Sequence, residues 1–209
     1  AIAAERSILV DSDGNVYFER AADEHAQIAS ITKMVTAIVA LEAAPLDMPV
    51  KVSERAAATG ESTASLKTGD EMMLKDALVG LMVPSGNDAG VAIAENVGKL
   101  FVDDAKSSGK EVLDVDGNPI DLSSDTAAYD AFVAKMNEKA SELGCANSRF
   151  TNPHGLDFAE WEDEDQYSTA RDVAVIAQHA MDNQTFREIV SMDEASITLQ
   201  RGGSEAVNR

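Results

Sequence analysis

The apolar residues of this chain repeat with two different spacings. Two short segments, 7–10 and 16–18, predict strands, and the Asp13-Gly14 step between them is a hairpin signal. Longer segments with apolar side chains three or four positions apart predict helices. The predicted helices span about residues 31–44, 74–82, 88–100, 127–143 and 168–181, and a last short strand is predicted at 196–199.

A hairpin of two strands does not make a stable sheet by itself. It is marginally stable in water and leaves an edge open to pairing. We therefore expect the chain to lack strands that complete its sheet. The predicted class is α+β, with an antiparallel sheet and a large helical lobe over about residues 31–190.

A polar segment at about residues 102–128 interrupts the helical pattern, and residues 112–122 could form a small hairpin within it. Residues 11–15 and 114–118 are similar to calcium-binding loops. Both lack the glycine at position six and the glutamate at position twelve, so the favoured interpretation is a turn. No His/Cys spacing suggests zinc, and we expect neither a metal nor a cofactor.

Composition limits the partners. The 209 residues are 44% hydrophobic, enough to bury the core of one domain or of two close lobes. The net charge of −20 opposes nucleic acid or an anionic membrane surface as a partner. No apolar stretch approaches the roughly 18 residues that a membrane span requires.

Ser30 and Lys33 lie three positions apart at the head of an apolar run. Residues one helical turn apart share a face, so a hydroxyl and an amine can meet there. A serine nucleophile needs a base, and a lysine serves when burial or positive charge lowers its pKa. The first turn also offers unpaired N–H groups to a developing oxyanion. We predict that Ser30 is a nucleophile with Lys33 as its base.

The same spacing occurs a second time, at Ser107 and Lys110. About one such pair is expected by chance in a chain of this length. The second copy lies in a polar stretch broken by Gly109, without apolar periodicity to bury the lysine, so we interpret it as a solvated loop. Near-helical apolar spacing around Ser30 instead predicts a buried helix.

A second candidate motif, Pro84-Ser85-Gly86-Asn87-Asp88, lies between two predicted helices. A loop there can present a hydroxyl and an amide inward, which suits a proton relay by Ser85 and a carboxamide, Asn87, that orients the lysine and a substrate. The alternative is a helix linker with Asp88 near an N-terminus. The functional interpretation is favoured because Ser-x-Asn occurs only here in the chain.

Four segments together resemble, in the same order, the low-molecular-mass penicillin-binding proteins, which are serine D-alanyl-D-alanine carboxypeptidases with a β-lactamase/transpeptidase-like fold. The segments are Ile28-Ala29-Ser30-Ile31-Thr32-Lys33-Met34, Ser85-Gly86-Asn87-Asp88-Ala89, Phe150-Thr151-Asn152-Pro153-His154-Gly155-Leu156 and Tyr167-Ser168-Thr169-Ala170-Arg171-Asp172. The resemblance covers about residues 7–101 and 129–209.

This resemblance implies a secreted or cell-envelope bacterial enzyme that removes the terminal D-alanine from peptidoglycan stem peptides ending in D-Ala-D-Ala and binds β-lactams. Ser30 would be acylated, Lys33 would be the base, and Ser85 and Asn87 would form the second motif. Any membrane attachment would use an anchor outside this chain. Two alternatives stay open: a β-lactamase, which normally needs a further carboxylate, and a non-catalytic peptidoglycan-binding or β-lactam-sensing domain.

The family's third motif, Lys-Thr-Gly on a strand lining the site, is missing after the second motif. Lys67-Thr68-Gly69 precedes Ser85, and we interpret it as a turn on Gly69 and Asp70. Arg201-Gly202-Gly203 is a poor substitute because Gly202 has no hydroxyl. We therefore expect residues 1–209 to be one D,D-peptidase catalytic domain that is incomplete at its C-terminus.

Three other features have simpler interpretations. Cys145 is the only cysteine, and we expect a small buried apolar residue rather than a nucleophile. His154 is expected to be a turn residue bonded to backbone. The acidic run 160–165 is expected to be a solvated loop.

Overall fold

The computed structural model describes residues 3–156 and 165–208. Seven helices and six strands lie in this part of the chain. The helices are α1 (Lys33–Ala43), α2 (Glu54–Ala58), α3 (Leu74–Met82), α4 (Asn87–Ser108), α5 (Ala127–Glu142), α6 (Ala170–Asp182) and α7 (Gln184–Val190). The strands are β1 (Ser7–Val10), β2 (Val16–Arg20), β3 (Pro49–Lys51), β4 (Glu71–Met73), β5 (Ile197–Arg201) and β6 (Ser204–Asn208).

The strands form two separate antiparallel sheets. β1 and β2 make a hairpin in which Ser7 lies opposite Arg20. The other four strands pair in the order β3-β4-β5-β6. β5 pairs with β4, and β6 pairs with β5. No third strand pairs with the N-terminal hairpin within the described residues.

The largest hydrophobic core joins the helices to the four-stranded sheet. α1 lies inside this core, because every residue from Val35 to Ala40 is buried. The first turns of α4 are buried in the same way, as expected for helices that are surrounded by protein. α4 also approaches α5 closely at Gly98, where a Cβ would lie 1.8 Å from the carbonyl oxygen of Ala128.

The five predicted helices are present, but α4 is longer than its predicted end at residue 100. It continues because Val102 buries against Ala127 and Ala131 at the start of α5, and Ala105 is buried one turn later. Ser107 and Ser108 therefore lie in the last turn of α4, and the prediction of a loop there is wrong. Their hydroxyls are exposed and donate to the Asp104 carbonyl, and α4 ends at Gly109 with φ 66°.

Five short elements are not apparent from the sequence pattern: α2, α7, β3, β4 and β6. Each has between three and seven residues, too few to show a period. β3 and β4 form by pairing with strands far away in the sequence, as where Met72 of β4 lies opposite Leu199 of β5, whereas β6 follows β5 in a hairpin in which Arg201 lies opposite Ser204.

The two loops that are similar to calcium-binding sequences are turns closed by their own first residue. Asp11 Oδ1 accepts from the backbone N–H groups of Asp13 and Asn15 at 3.0 and 2.9 Å. Asp114 Oδ1 accepts in the same way from the residues two and four positions later, at 2.9 and 2.8 Å. The aspartates therefore serve as turn residues.

An ion pair between the buried Asp70 carboxylate and the Arg201 side chain, which is 32% exposed, joins the two halves of the four-stranded sheet. The Asp70 side chain is 1% exposed and accepts from Nε and Nη2 of Arg201 at 2.8 and 2.7 Å. It also accepts from the backbone N–H of Lys67 at 2.8 Å. By contrast, Lys51 and Glu71 pair at 3.1 Å on the same sheet with side chains 65% and 53% exposed.

Arg201→Gln removes the cation from buried Asp70, and we expect the melting temperature to fall by more than about 6 °C, because an unpaired buried charge is strongly destabilising. Lys51→Gln breaks the exposed pair, and this variant should change the melting temperature by less than about 3 °C. Thermal unfolding followed by circular dichroism measures both variants. Equal shifts would show that the Asp70 pair is no more important than a surface pair.

Candidate active site

Ser30 lies in a 3-10 turn, Ala29–Thr32, that runs directly into α1. A 3-10 helix has three residues per turn, so side chains three positions apart are aligned. Ser30 Oγ lies 2.9 Å from Nζ of Lys33, the first residue of α1. The predicted spacing is thus a direct contact, formed on a 3-10 turn in place of the expected first α-helical turn.

Lys33 is a buried amine, 1% exposed. Its Nζ also donates to the carbonyl oxygen of His154 at 2.8 Å. One turn later, Thr36 Oγ1 donates to the Pro153 carbonyl at 2.7 Å. Two hydrogen bonds therefore fasten α1 to a segment more than a hundred residues away in sequence.

Burial lowers the pKa of Lys33 to about 8, against the attraction of the Asp88 and Glu61 carboxylates, which raises it. Burial, together with the nearby charges of Lys33 and Arg55, lowers the pKa of His154 to about 4, so the imidazole is neutral near pH 7. A lysine with a pKa of about 8 is partly neutral near pH 7. A buried amine in contact with a serine hydroxyl has the properties of a general base.

The turn after Pro153 packs directly against the backbone before Ser30. Gly155 has φ +85°, and a Cβ on it would lie 1.9 Å from the carbonyl oxygen of Ala29. Glycine is required here both for the backbone conformation and for the space. Residues 152–156, which we call the lysine turn, thus contact both the 3-10 turn and the Lys33 amine.

Both candidate motifs contain a strained backbone. Ala29 has φ 45° and Ser85 has φ 59°, in the left-handed region that residues with a Cβ seldom occupy. Each such conformation costs about 1–3 kcal/mol and persists only where the surroundings hold it. Positions of this kind cluster at functional sites, which supports the choice of these two motifs.

The second motif lies at the start of α4. The Ser85 hydroxyl is half-buried, and within residues 3–156 and 165–208 no hydrogen bond joins it to Ser30 or Lys33. Asn87 Nδ2 donates to the Gly60 carbonyl at 2.9 Å, while its buried Oδ1 has no partner. Lys33 Nζ therefore bonds to the His154 carbonyl, and no hydrogen bond joins it to the Asn87 carboxamide in the part of the chain that the structure describes.

Asp88, in the first turn of α4, holds the neighbouring loop. Its carboxylate accepts from the backbone N–H groups of Ala64 and Leu66 at 2.8 and 3.0 Å. It is buried, and its charge acts on Lys33. Asp88 thus lies near a helix N-terminus, as the alternative interpretation of this motif has it, and its charge also raises the pKa of Lys33.

Lys67-Thr68-Gly69 forms a turn, as predicted. Asp70 N donates to the Lys67 carbonyl at 3.0 Å, and Gly69 has φ 85°. Arg201-Gly202-Gly203 connects β5 to β6.

The predictions for Cys145 and His154 are confirmed. Burial raises the pKa of the Cys145 thiol to about 11, and the thiol donates to the Asp172 carbonyl at 3.6 Å. His154 Nδ1 accepts from the backbone N–H of Leu156 at 3.1 Å. Of the acidic run 160–165, residues 160–164 lie outside the described residues.

The chain matches the profile of the D-alanyl-D-alanine carboxypeptidase family over residues 1–106 and 125–209. It is 34% identical over 184 residues to the D-alanyl-D-alanine carboxypeptidase DacF of Bacillus subtilis, a match that covers 85% of this chain and 39% of that protein. It is 32% identical over 183 residues to a D-alanyl-D-alanine carboxypeptidase of Streptomyces sp. strain K15, covering 85% and 54%. The chain thus spans between about two fifths and just over half of the length of these relatives.

Among solved structures, the S216A mutant of the Streptomyces K15 DD-transpeptidase superposes with a TM-score of 0.80 at 29% identity. That match covers 100% of this chain and 73% of the other. Residues 107–124, which the family profile leaves out, lie within the polar segment 102–128. The start of that segment, to Ser108, belongs to α4.

Gly155→Ala forces a Cβ into the Ala29 carbonyl, and we expect a loss of stability well beyond the roughly 1 kcal/mol that a positive φ alone costs an alanine. Gly144→Ala is the matched control, because Gly144 has φ 78° but open space around its Cα. Urea unfolding measures both free energies. A Gly155 variant no less stable than the Gly144 variant would contradict the close packing of the lysine turn.

Proposed function

Because the chain belongs to the D-alanyl-D-alanine carboxypeptidase family, we propose that it removes the terminal D-alanine from peptidoglycan stem peptides through an acyl-enzyme on Ser30. The family assignment made from the motifs and the α+β fold class are both confirmed. The contact that carries the proposal is the 2.9 Å approach of Ser30 Oγ to the buried Lys33 amine. The chain spans only part of the length of its relatives, so the carboxypeptidase activity is itself a proposal.

In the proposed reaction, Ser30 Oγ attacks the carbonyl carbon between the two terminal D-alanines, and its proton passes to neutral Lys33. The backbone N–H of Ser30 donates to the oxyanion. The bond to the leaving amine then breaks as a proton returns to that amine, and Ser85 relays this proton. Water attacks the acyl-enzyme with base assistance, which releases the shortened peptide and restores the Ser30 hydroxyl.

Asn87 is proposed to orient the substrate through its Oδ1. This atom is buried and has no partner, whereas Nδ2 is held by Gly60. A backbone N–H of the stem peptide would satisfy it, because a buried acceptor without a donor is unfavourable. The lysine is proposed to be oriented by the His154 carbonyl, which accepts a hydrogen bond from Lys33 Nζ.

The substrate places the protein outside the cytoplasm, and we propose an extracytoplasmic location in the bacterial cell envelope. No helix within the described residues is long and apolar enough to span a bilayer. β-Lactams are proposed to acylate Ser30 because they resemble the terminal D-Ala-D-Ala. The relatives and solved structures carry peptidase and transpeptidase names, so a β-lactamase or a non-catalytic sensor is not favoured.

We expect labelled penicillin to attach at Ser30 alone, because this is the hydroxyl in contact with the buried lysine. Ser30→Ala should abolish labelling and leave only residual peptidase activity, on the order of 10³ to 10⁴ over water in comparable serine enzymes. Ser107→Ala is the matched control, since Ser107 has the same spacing to a lysine but lies exposed at the end of α4. Intact mass and peptide mapping identify the site, and a label on Ser85 or Ser107 would overturn the assignment.

We expect the acylation rate to rise with pH to a midpoint of about 8, because only neutral Lys33 accepts the Ser30 proton and its pKa is lowered to about 8. Lys33 faces Asp88, Glu61 and neutral His154. Lys33→Arg keeps the charge but cannot lose a proton near pH 8, so acylation should collapse while binding persists. Labelling rates between pH 6 and 10 test both points. Labelling by the arginine variant at close to the original rate would show that Lys33 is not the base.

A further inference from the structure

Asn152 shapes the lysine turn from within. Its side chain is 2% exposed, and Oδ1 accepts from the backbone N–H groups of His154 and Gly155 at 3.2 and 2.6 Å. Its Nδ2 donates to the Leu156 carbonyl at 3.0 Å. All three hydrogen bonds stay within five consecutive residues, so one side chain fixes the conformation of the whole turn.

Gln166 fixes the start of the same turn. Its buried Oε1 accepts from the backbone N–H groups of Thr151 and Asn152 at 3.1 and 3.3 Å. Just before the lysine turn, Arg149 pairs with Tyr167 through two reciprocal backbone hydrogen bonds of 2.8 and 3.0 Å. The residues from which the lysine turn starts are therefore held in place independently of the Asn152 side chain.

The far side of the turn meets both reacting groups. The His154 carbonyl accepts from Lys33 Nζ at 2.8 Å, and Gly155 packs on the Ala29 carbonyl, next to Ser30. The His154 carbonyl and the Gly155 N–H belong to one planar peptide unit, so the hydrogen bond that the Gly155 N–H donates to Asn152 Oδ1 fixes the direction of the carbonyl.

We propose that Asn152 is a positioning residue that acts through the His154 carbonyl to aim the Lys33 amine at Ser30. The inference rests on the proposed function of Ser30 and Lys33. A neutral amine has two N–H bonds and one lone pair. When the His154 carbonyl holds one N–H, rotation about the Cε–Nζ bond is restricted and the lone pair is directed to Ser30 Oγ. Orientation of a base by a third group is part of how serine nucleophiles are activated.

The test compares Asn152→Ala and Asn152→Asp with a matched control, Asn137→Ala. Asn137 also makes three hydrogen bonds to backbone: Oδ1 accepts from Phe150 N at 2.9 Å, and Nδ2 donates to the Phe150 and Val133 carbonyls at 2.7 and 3.0 Å. It thus supports the same segment upstream of the lysine turn without bonding to the turn itself. Both alanine variants lose equal numbers of bonds, and unfolding in urea checks that their stabilities fall together.

Two readouts separate positioning from a merely structural effect. The first is the acylation rate constant at saturating labelled penicillin, measured together with the penicillin concentration at half-saturation. Asn152→Ala should lower the rate constant between about ten- and a hundredfold with half-saturation little changed, because a misplaced base slows the chemical step. Asn137→Ala should change the rate constant less than about threefold at comparable stability.

The second readout is the pH titration of Lys33 itself, followed through the ¹³Cε resonance of labelled lysine. Asn152→Ala releases the peptide unit that carries the His154 carbonyl, so the ammonium loses an aligned acceptor and the midpoint of the Lys33 titration should fall. Asn137→Ala should leave that midpoint unchanged, and Asn152→Asp, which keeps an acceptor for the His154 and Gly155 N–H groups, should retain more of the acylation rate than Asn152→Ala. The other charged groups that act on Lys33, Asp88 and Glu61, are the same in all of these variants.

The proposal is overturned if Asn152→Ala and Asn137→Ala slow acylation equally, or if the two alanine variants have the same Lys33 midpoint. If the unmodified protein takes no label from penicillin, the proposed function fails. The titration still decides the positioning role in that case: a midpoint that falls in Asn152→Ala but not in Asn137→Ala supports it, and equal midpoints refute it.

Discussion

The buried amine of Lys33 is the constraint on which the rest of the site depends. A charged or strongly polar group that is 1% exposed must be met by acceptors, because its hydration is lost. Its partners are Ser30 Oγ and the His154 carbonyl, 121 residues away in sequence, with the Asp88 carboxylate acting from the start of α4. Two distant parts of the chain, the lysine turn and the start of α4, therefore have to converge on α1. The same burial lowers the pKa of Lys33 to about 8 and gives the amine its capacity to act as a base.

The site is also where the backbone departs from relaxed geometry. Ala29 and Ser85 have positive φ, and Gly155 leaves no room for a side chain. Around these positions, buried polar side chains hold the backbone: Asp88 accepts from two N–H groups of the loop beside Ser85, and Asn152 accepts from two in the lysine turn. These hydrogen bonds pair buried N–H groups, and they thereby hold the strained backbone next to the proposed reacting groups.

The segment 107–124, which the family profile does not include, is attached to this same framework. Arg149 Nη2 pairs with Asp116 at 2.7 Å and Nη1 donates to the Val115 carbonyl at 3.3 Å, while the backbone of Arg149 pairs with Tyr167. Arg149 lies three residues before Asn152. A segment that lies outside the family profile therefore contacts the residues from which the lysine turn starts.

The sequence by itself determined the features that depend on neighbours along the chain. The 3.6-residue period located the long helices, the Asp13-Gly14 step located the first hairpin, and the spacing of Ser30 and Lys33 placed both side chains on one face. Four short motifs also indicated the family, which the profile match confirms. Only the tertiary structure decided which groups complete the site. Lys33 is held by a backbone carbonyl, and since every residue has one, no residue type could mark His154 as the partner. The Asn87 amide turns to Gly60, and β5 pairs with β4, because packing across the whole chain selects among partners that are chemically equivalent in the sequence.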